Sequence, residues 1–255
     1  MIDSHAHYDD RRFDGDRHEL LPSLAACGVE LVINIGADMR SSRASVKLAE
    51  RYPFVYATVG VHPHDAKRMN DSDLDTLRKM AEHPKVVAIG EIGLDYHYDH
   101  SPRDIQRERF GQQLELAAEL KMPVVIHSRE ACADTWAQLR GSGHKGVIHC
   151  YSGSAPQAVN YVNEGFYIGI GGVITYKNAR KLVETVEAIP LARILLETDC
   201  PYLSPEPHRG KRNSSAFLTL IAQRVAEIKG VSAEEVEAVN KENVLALFGR
   251  TRPLG

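Results

Sequence analysis

Short apolar segments alternate with longer segments of helical period along most of the chain. The apolar segments have the length and composition of strands, and they are Met1–Ser4, Leu31–Ile35, Val55–Val59, Val86–Ile89, Val124–Ile126, Gly146–Ile148, Phe166–Ile170 and Ile194–Leu196. The helical segments between them are Arg17–Cys27, Arg40–Arg51, Asp73–His83, Arg103–Leu120, Ala131–Arg140, Pro156–Asn163 and Ala179–Ala188. A strand followed by a helix, repeated in this way, is typical of a parallel barrel. The pattern predicts the α/β class and a (β/α)8 TIM-type barrel, with a doubly wound open sheet as the alternative.

Two further helices are predicted after the last strand, over Ser215–Lys229 and Ala233–Phe248. Ser232 and Glu235 have the spacing of a capping box at the start of the second helix. The sequence has no internal repeat, low-complexity segment or Pro/Ser/Gly-rich linker, and barrels commonly reach this size as one domain. We therefore expect a single domain over residues 1–255, in which the two C-terminal helices cover the outer ring.

Polar side chains follow five of the predicted strands. The first strand runs into Asp3-Ser4-His5-Ala6-His7, the fourth into Glu91, the fifth into His127, the sixth into His149, and the eighth into Glu197-Thr198-Asp199. In a barrel the carboxyl ends of the strands converge on one mouth, where such enzymes hold their catalytic residues. Ordinary core or surface residues would not explain why imidazoles and carboxylates collect there while the strand interiors stay apolar.

These residue types, at these places, indicate a metal centre. His5 and His7 are two residues apart on a strand, so both side chains point to one face and can chelate a single ion. Asp199 would complete that first site. Glu91 carries two oxygens and can bridge to a second ion. A pair of histidines on the surface is the alternative reading of His5 and His7 taken alone.

His127 and His149 would supply the second ion. Two cations about 3.5–4 Å apart suit phosphoryl transfer, because they neutralise phosphate oxygens, activate a bound water and stabilise the leaving oxygen. We expect Asp199 both to bind metal and to orient or deprotonate that water, and Glu91 to act with it as the bridging ligand. Asp3 would stand behind the ligands and hold an imidazole. The histidines favour Zn²⁺, whereas carboxylates in phosphodiester chemistry favour Mg²⁺ or Mn²⁺.

The charge balance limits the kind of partner. The 255 residues carry a formal net charge of -3 and a sequence pI of about 6.5. This balance argues against non-specific coating of duplex DNA, because such binding depends on many phosphate contacts. It is compatible with a small basic pocket for one or two phosphates. No apolar run has the length of a membrane span, so we expect a cytoplasmic protein with no membrane partner.

The four cysteines form no CxxC pair and no disulfide-like spacing, which predicts free thiols in a reducing compartment. Cys150 and Cys200 each neighbour a predicted ligand. Alternation along a strand would turn both side chains away from the metals. The sequence therefore argues against a nucleophilic cysteine.

Seven motifs in a fixed order carry a family resemblance. They are DSHAHY at Asp3, GVHPH at Gly60, GEIGLDY at Gly90, IHSREA at Ile126, HCYSGS at His149, ETDCPYL at Glu197 and RGKRN at Arg209. Over nearly its whole length the chain resembles the TatD family of metal-dependent deoxyribonucleases, which have an amidohydrolase-like barrel. The resemblance implies metal ligands at the six positions reached above. It also implies metal-dependent hydrolysis of nucleic-acid phosphodiesters, often exonucleolytic, with His62 facing the substrate.

Basic residues near the same rim are candidates for substrate binding. Arg129 follows the fifth strand, and Arg209, Lys211 and Arg212 form a short basic run after the eighth. Arg and Lys suit phosphate recognition, and Arg can do so through a bidentate fork. A charge run is otherwise typical of a solvated face. The resemblance favours the first interpretation.

Aromatic residues and one departure from the family pattern bear on the substrate. Tyr96, Tyr98 and Tyr151 lie near the rim, where they would either stack on bases or serve as partly buried rim aromatics. After RGKRN the family usually continues with Glu-Pro, whereas this chain has Ser214-Ser215. That difference concerns the loop and the preference for a strand end, and it leaves the metal ligands unchanged.

Three classes of function are compatible with such a centre. The interpretation we favour is a two-metal exonuclease on DNA that acts at single-stranded or frayed ends. The second is a small-molecule amidohydrolase or esterase with the same metal pair. The basic run favours the nuclease, because a neutral amide would not require it. The third is a non-catalytic binding protein on a hydrolase scaffold, which predicts missing ligands, and none is missing.

Overall fold

The computed structural model describes residues 1–253, within which eight parallel strands form a nearly closed barrel. The strands are β1 (Ile2–Ala6), β2 (Leu31–Asn34), β3 (Val55–Val59), β4 (Val86–Asp95), β5 (Val124–Arg129), β6 (Gly146–Ile148), β7 (Tyr167–Ile170) and β8 (Ile194–Leu196). They are hydrogen-bonded in chain order, and Ala6 bridges to Cys200 beyond β8. The TIM-type barrel is confirmed. The doubly wound sheet is wrong, because its strands would not neighbour one another in sequence order.

Helices cover the outside of the barrel. They are α1 (Arg17–Ser23), α2 (Met39–Arg51), α3 (Asp71–Ala81), α4 (Arg103–Glu119), α5 (Cys132–Leu139), α6 (Ala155–Asn163), α7 (Arg180–Ala188), α8 (Leu218–Lys229) and α9 (Ala233–Leu247). Each of the first eight follows the strand of the same number, so α8 completes the repeat and α9 lies beyond it. Within the described residues, none of these helices combines the length and the apolarity needed to cross a membrane.

Helix α9 joins the first and last strands. The Asn240 amide accepts a hydrogen bond from the Leu196 backbone N–H at 2.8 Å and donates one to the Ile2 carbonyl at 2.9 Å. Asn243 donates to the Ile194 carbonyl at 2.8 Å. Strand pairing between β1 and β8 is incomplete, and these side chains satisfy backbone groups that would otherwise be buried without a hydrogen bond. Helix α9 thereby connects β1 to β8.

The alternation of side chains along the strands explains where the polar residues point. Val125 of β5 and Val147 of β6 belong to one buried apolar cluster inside the barrel. Side chains two residues apart on a strand share a face. His127 and His149, two positions further on, therefore continue that interior face at the carboxyl-terminal rim. The two imidazoles therefore lie at the rim, next to the apolar interior of the barrel.

Strand β4 is longer than the sequence predicts. It continues past Ile89 to Asp95, so Glu91 lies within the strand instead of after it. The extension is paired, with Gly93 opposite His127 and Asp95 opposite Arg129 on β5. The apolar run does not show this, because Gly90, Glu91, Gly93 and Asp95 interrupt it, although the whole extension is buried. Near the C-terminus α8 begins at Leu218 and not at Ser215, after a short 3-10 turn.

Candidate metal centre

Four side chains bring ligand atoms to one point at the rim. The Nε2 atoms of His5 and His7 are 3.2 Å apart. Asp199 Oδ1 lies 3.3 Å from His7 Nε2 and 3.7 Å from His5 Nε2. Glu91 Oε2 lies 3.6 Å from His5 Nε2 and 3.9 Å from His7 Nε2. Atoms that each lie ~2.0–2.2 Å from a shared ion have about this spacing, so these groups could hold one ion.

The other oxygen of Glu91 faces a second group of imidazoles. Oε1 lies 2.9 Å from His127 Nδ1, 3.2 Å from His149 Nε2 and 3.5 Å from His62 Nε2. Glu91 thus contacts each group through a different oxygen, as a bridging carboxylate does. His62 also forms part of the cleft surface. His62 therefore lies close both to this second group of imidazoles and to the open cleft.

Two carboxylates that sequence reasoning left unassigned stand behind the imidazoles. Asp95 Oδ2 accepts hydrogen bonds from His127 Nε2 at 3.0 Å and from His64 Nε2 at 3.1 Å. Glu197 Oε1 lies 3.4 Å from His149 Nδ1. A carboxylate behind a ligating imidazole fixes its tautomer and orientation and raises its basicity. Asp95 and Glu197 are therefore positioning groups for the second set of ligands.

Charge is balanced within the metal-free cluster. Burial acts to raise the pKa of Glu91, but His149 and the other imidazoles hold that pKa well below its usual range. Burial likewise acts to lower the pKa of His7, but the Asp199 carboxylate raises it to about 9. Burial, assisted by the His149 charge, lowers the pKa of His5 well below its usual range. An ionised Glu91 and a protonated His7 thus flank a neutral His5 that is able to ligate.

The donor set fits divalent cations. Imidazole nitrogens suit Zn²⁺, and the carboxylate oxygens add the ligands that Mg²⁺ and Mn²⁺ prefer. The Nε2 atoms of His5 and His7 face oxygens of Glu91 and Asp199 at 3.3–3.9 Å. A buried cluster of this kind is stabilised when a cation compensates its lone pairs and negative charges. The residues present are therefore able to hold two ions bridged by Glu91.

A cleft of about 920 Å³ opens above the cluster, and arginines stand in its wall. Arg11 and Arg40, which sequence reasoning did not single out, line it together with Arg129. The Arg129 guanidinium lies 4.8 Å from the ring centre of Tyr98, and within residues 1–253 it makes no salt bridge. Arg129 is thus a cation free to meet an anionic ligand.

Exposed apolar side chains gather at the same cleft. Within the described residues, the large apolar side chains that remain exposed are Tyr98, Tyr202 and Leu203, and all three line the cleft. Arg12 lies 4.2 Å from the ring centre of Tyr202, whose hydroxyl donates to Asp10. The rings of Tyr98 and Tyr202 are therefore held at the opening of the cleft by contacts with arginine side chains, and part of each ring remains accessible to a ligand.

Comparison with known proteins decides the family. The family model described as TatD related DNase matches residues 2–249. The chain belongs to the TatD family. It is 41% identical over 251 residues to the uncharacterised metal-dependent hydrolase YabD of Bacillus subtilis (strain 168), covering 97% of this chain and 98% of YabD. The resemblance of the seven motifs is confirmed, and the chain is a metal-dependent hydrolase.

Two further TatD proteins are similar over their whole lengths. The chain is 36% identical over 262 residues to the 3'-5' ssDNA/RNA exonuclease TatD of Escherichia fergusonii, covering 98% of this chain and 99% of that one. The crystal structure of YjjV, a TatD homologue from Escherichia coli K12, superposes with a TM-score of 0.92 at 33% identity, covering 98% of each chain.

The prediction that Asp3 holds an imidazole is wrong for this TatD chain. The Asp3 carboxylate accepts hydrogen bonds from Thr198 Oγ1 and Ser215 Oγ, each at 2.6 Å. Ser215 belongs to the pair that replaces the usual Glu-Pro, and its backbone N–H donates to the Tyr8 hydroxyl at 2.9 Å. Burial raises the pKa of Asp3 to about 7 against the effect of these bonds. Asp3 and Ser215 tie the loop after β8 to β1.

The basic run lies away from the cleft of this TatD barrel. Arg212 makes a salt bridge to Asp16 and donates to the Arg12 carbonyl at 2.8 Å. Arg209 lies 4.4 Å from the ring centre of Tyr176. Neither lines the cleft, and the same holds for Lys211. A role of these three residues in substrate binding stays a prediction, whereas Arg129 is brought directly to the site.

The remaining candidates, Tyr96, Tyr151 and Cys150, are less exposed than a substrate-binding or nucleophilic group would be. Tyr151 is buried and its hydroxyl donates to the Ser154 carbonyl at 2.7 Å, and Tyr96 donates to Asp134 at 2.5 Å. Neither ring is as exposed as that of Tyr98, which stacks on His100 and still has an exposure of 49%. Burial raises the pKa of the Cys150 thiol to about 12, which is unfavourable for a nucleophile.

Proposed function

We propose that this metal-dependent hydrolase cleaves phosphodiester bonds at the ends of single-stranded nucleic acid, as an exonuclease on DNA. The proposal assigns two divalent ions to the ligands His5, His7, Glu91, His127, His149 and Asp199. Similarity to the 3'-5' ssDNA/RNA exonuclease TatD of Escherichia fergusonii supports this class of substrate.

The observation that carries the proposal is the placement of Arg129 and Tyr98 above the buried ligand cluster. A phosphodiester brings a negative charge that Arg129 can bind, and an unpaired base brings a flat face that Tyr98 can stack upon. Other proteins that bind single-stranded nucleic acid use the same combination of cationic and aromatic side chains. A small neutral amide would use neither group.

The two carboxylates differ in a way that suggests separate tasks. When bound, two ions would neutralise the phosphate oxygens and lower the pKa of an attacking water. Glu91 has a side-chain exposure of 5% and contacts imidazoles through both oxygens, so it holds the two halves together. Asp199 has a side-chain exposure of 18%. Its carboxylate can orient a water in the cleft and accept its proton.

The test is hydrolysis by chelator-stripped protein after addition of Mg²⁺, Mn²⁺ or Zn²⁺. Substrates are end-labelled single-stranded DNA, RNA and blunt duplex, beside a panel of amides and lactones. We expect stepwise shortening of the single strands that depends on the metal. A Glu91→Ala preparation purified in parallel controls for contaminating nucleases. Hydrolysis of amides or lactones with intact oligonucleotides would replace the proposal with the small-molecule alternative.

A further inference from the structure

A second cavity lies beside the cleft, where β5 and β6 run into α5 and α6. We call it the side cavity. It has a volume of about 380 Å³, and among its lining residues are Arg129, Cys132, Tyr151, Ser152, Gly153 and Tyr161. That volume lies in the range of small-molecule sites, ~300–1,000 Å³. Arg129 also lines the cleft, so the two spaces adjoin at this side chain.

The side cavity accounts for motif residues that the metal centre does not use. The centre takes only the histidine from each of the motifs IHSREA and HCYSGS. In the first motif, Ser128, Arg129 and Glu130 border the side cavity, and in the second Ser152 and Gly153 do so. The segments that follow β5 and β6 therefore contribute His127 and His149 to the candidate metal centre and other residues to the side cavity.

One helix N-terminus lies at this pocket. Helix α5 begins at Cys132, which lines the side cavity. Its N-cap residue, Ala131, makes no side-chain hydrogen bond to the first turn. The first N–H groups of α5 are therefore not satisfied by a side-chain cap. Such groups, together with the helix dipole, attract anions.

A buried hydroxyl gives independent evidence for a missing partner. Tyr161 lines the side cavity, has an exposure of 1%, and its hydroxyl has no hydrogen-bond partner. Its polar neighbours are the Cys132 thiol and the Gln157 amide, and Gln157 Nε2 is itself buried without a partner. A thiol is a weak hydrogen-bonding group. A strong acceptor entering the cavity would satisfy the Tyr161 hydroxyl.

The charges at the rim favour an anion as that acceptor. Glu130 also lines the side cavity, but its carboxylate is already engaged by the His97 imidazole, whose Nδ1 lies 2.7 Å away. Arg129 has no such partner among residues 1–253 and stands between the two spaces. An anion in the side cavity would thus meet a guanidinium, the N-terminus of α5 and the Tyr161 hydroxyl.

We propose that the side cavity binds the phosphate of the nucleotide next to the scissile one. A substrate strand would run from the metal centre past Arg129 into the side cavity. The volume leaves room for the sugar as well as the phosphate. This assignment rests on the proposed function, because it takes the scissile phosphate to lie at the metal centre.

Cys132 provides a reporter of occupancy that does not depend on turnover. Its thiol is exposed and lines the side cavity, whereas Cys27 is an exposed thiol before the amino end of β2. Metal-loaded protein is mixed with phosphorothioate-linked hexathymidylate at ten times the Kd measured by fluorescence anisotropy, and is alkylated with N-ethylmaleimide. Peptide mass spectrometry gives both rates. We expect alkylation to slow roughly tenfold at Cys132, as mass action requires, and not at Cys27.

A matched pair of variants tests the hydroxyl. Tyr161→Phe should raise the Kd for hexathymidylate about tenfold through loss of a hydrogen bond to a charged acceptor. Tyr167→Phe, at the start of β7, should leave the Kd unchanged. Equal alkylation of Cys132 with and without saturating oligonucleotide would overturn the side cavity even if oligonucleotides are hydrolysed. Protection of Cys132 without any hydrolysis would support the side cavity and contradict the proposed function.

Discussion

At the scale of single residues, the structure separates groups that look equivalent in the sequence. Glu91 and Asp199 are both carboxylates at strand ends, yet only Glu91 is enclosed by imidazoles on both sides. Arg129 and Arg212 are both basic residues after a strand, yet Arg129 stands free in the cleft and Arg212 is paired with Asp16. These differences in contacts lead to different expected effects of substitution.

Asp199→Asn should retain much of the metal and lose most of the turnover. The amide keeps one oxygen for coordination but cannot accept a proton from water. General-base contributions are typically ~10²–10⁴-fold, so turnover should fall at least about a hundredfold. Elemental analysis and initial rates on one preparation measure both quantities. Asp65→Asn, which removes only a surface contact with Arg68, is the control. Near-normal turnover with full metal would assign the proton transfer to another group.

Arg129→Ala and Arg212→Ala should differ, although the sequence alone predicts that both bind substrate. Loss of a charge-assisted contact to phosphate typically weakens binding by ~1.5–3 kcal/mol, so Arg129→Ala should raise KM at least about tenfold with a smaller change in kcat. Arg212→Ala breaks a half-exposed pair and should leave KM near its original value. Steady-state kinetics on a short oligonucleotide compare them. An equal rise of KM in both variants would indicate that Arg212 also binds substrate.

At the scale of strands and helices, periodicity predicts the fold and most of the ligands. Alternation along β5 and β6 is visible in the sequence and brings His127 and His149 to the rim. The end of β4 is not visible in the same way, because the apolar run stops at Ile89. The signal that remains is the spacing of Ile92 and Leu94 after Glu91, which continues the alternation of a strand.

Asp95 and Glu197 escape sequence reasoning for a related reason. Each contacts an imidazole from another strand end, Asp95 that of His127 on β5 and Glu197 that of His149 just beyond β6. Such pairs depend on how the strands are aligned around the barrel, and one sequence does not specify that register. The placement of Ser215 on Asp3 likewise required the folded loop after β8. Local patterns predict which residues reach the rim, and three-dimensional contacts decide what each one touches there.

Asp95→Asn tests whether the carboxylate at the end of β4 supports metal binding through His127. The amide can no longer accept hydrogen bonds from both His127 Nε2 and His64 Nε2. Groups in this position typically contribute 10–100-fold in metal affinity, so we expect the second ion to bind about 10–100-fold more weakly while the first is retained. Titration of stripped protein with Zn²⁺ or Mn²⁺ resolves the two sites. Glu130→Gln, which alters an exposed contact with His97, should leave both affinities unchanged, and an equal effect of the two variants would contradict the assignment.

At the scale of the whole molecule, the centre exists only when the barrel closes. The proposed ligands come from β1, β4 and β5 and from the residues just beyond β1, β6 and β8, so that the first and last strands of the barrel meet at one site. Asn240 on α9 ties β1 to β8 from the opposite side of the seam. Because ligands from all these strands would share the ions, metal binding should stabilise the closed barrel as one unit.

Saturation with metal should therefore raise the Tm of the whole transition. A ligand at a hundred times its Kd stabilises the folded state by ~2.7 kcal/mol, and a domain of 150–250 residues gains ~2–4 °C per kcal/mol. We expect a rise of about 5–10 °C for each bound ion over chelator-treated protein, with far-UV circular dichroism and Trp136 fluorescence shifting together. Glu91→Ala removes the group common to both ion positions and should abolish most of the rise. Two separate transitions, of which metal moves only one, would show that residues 1–253 do not unfold as the single unit that we infer. An unchanged Tm at saturating metal would instead place the ions outside the barrel mouth.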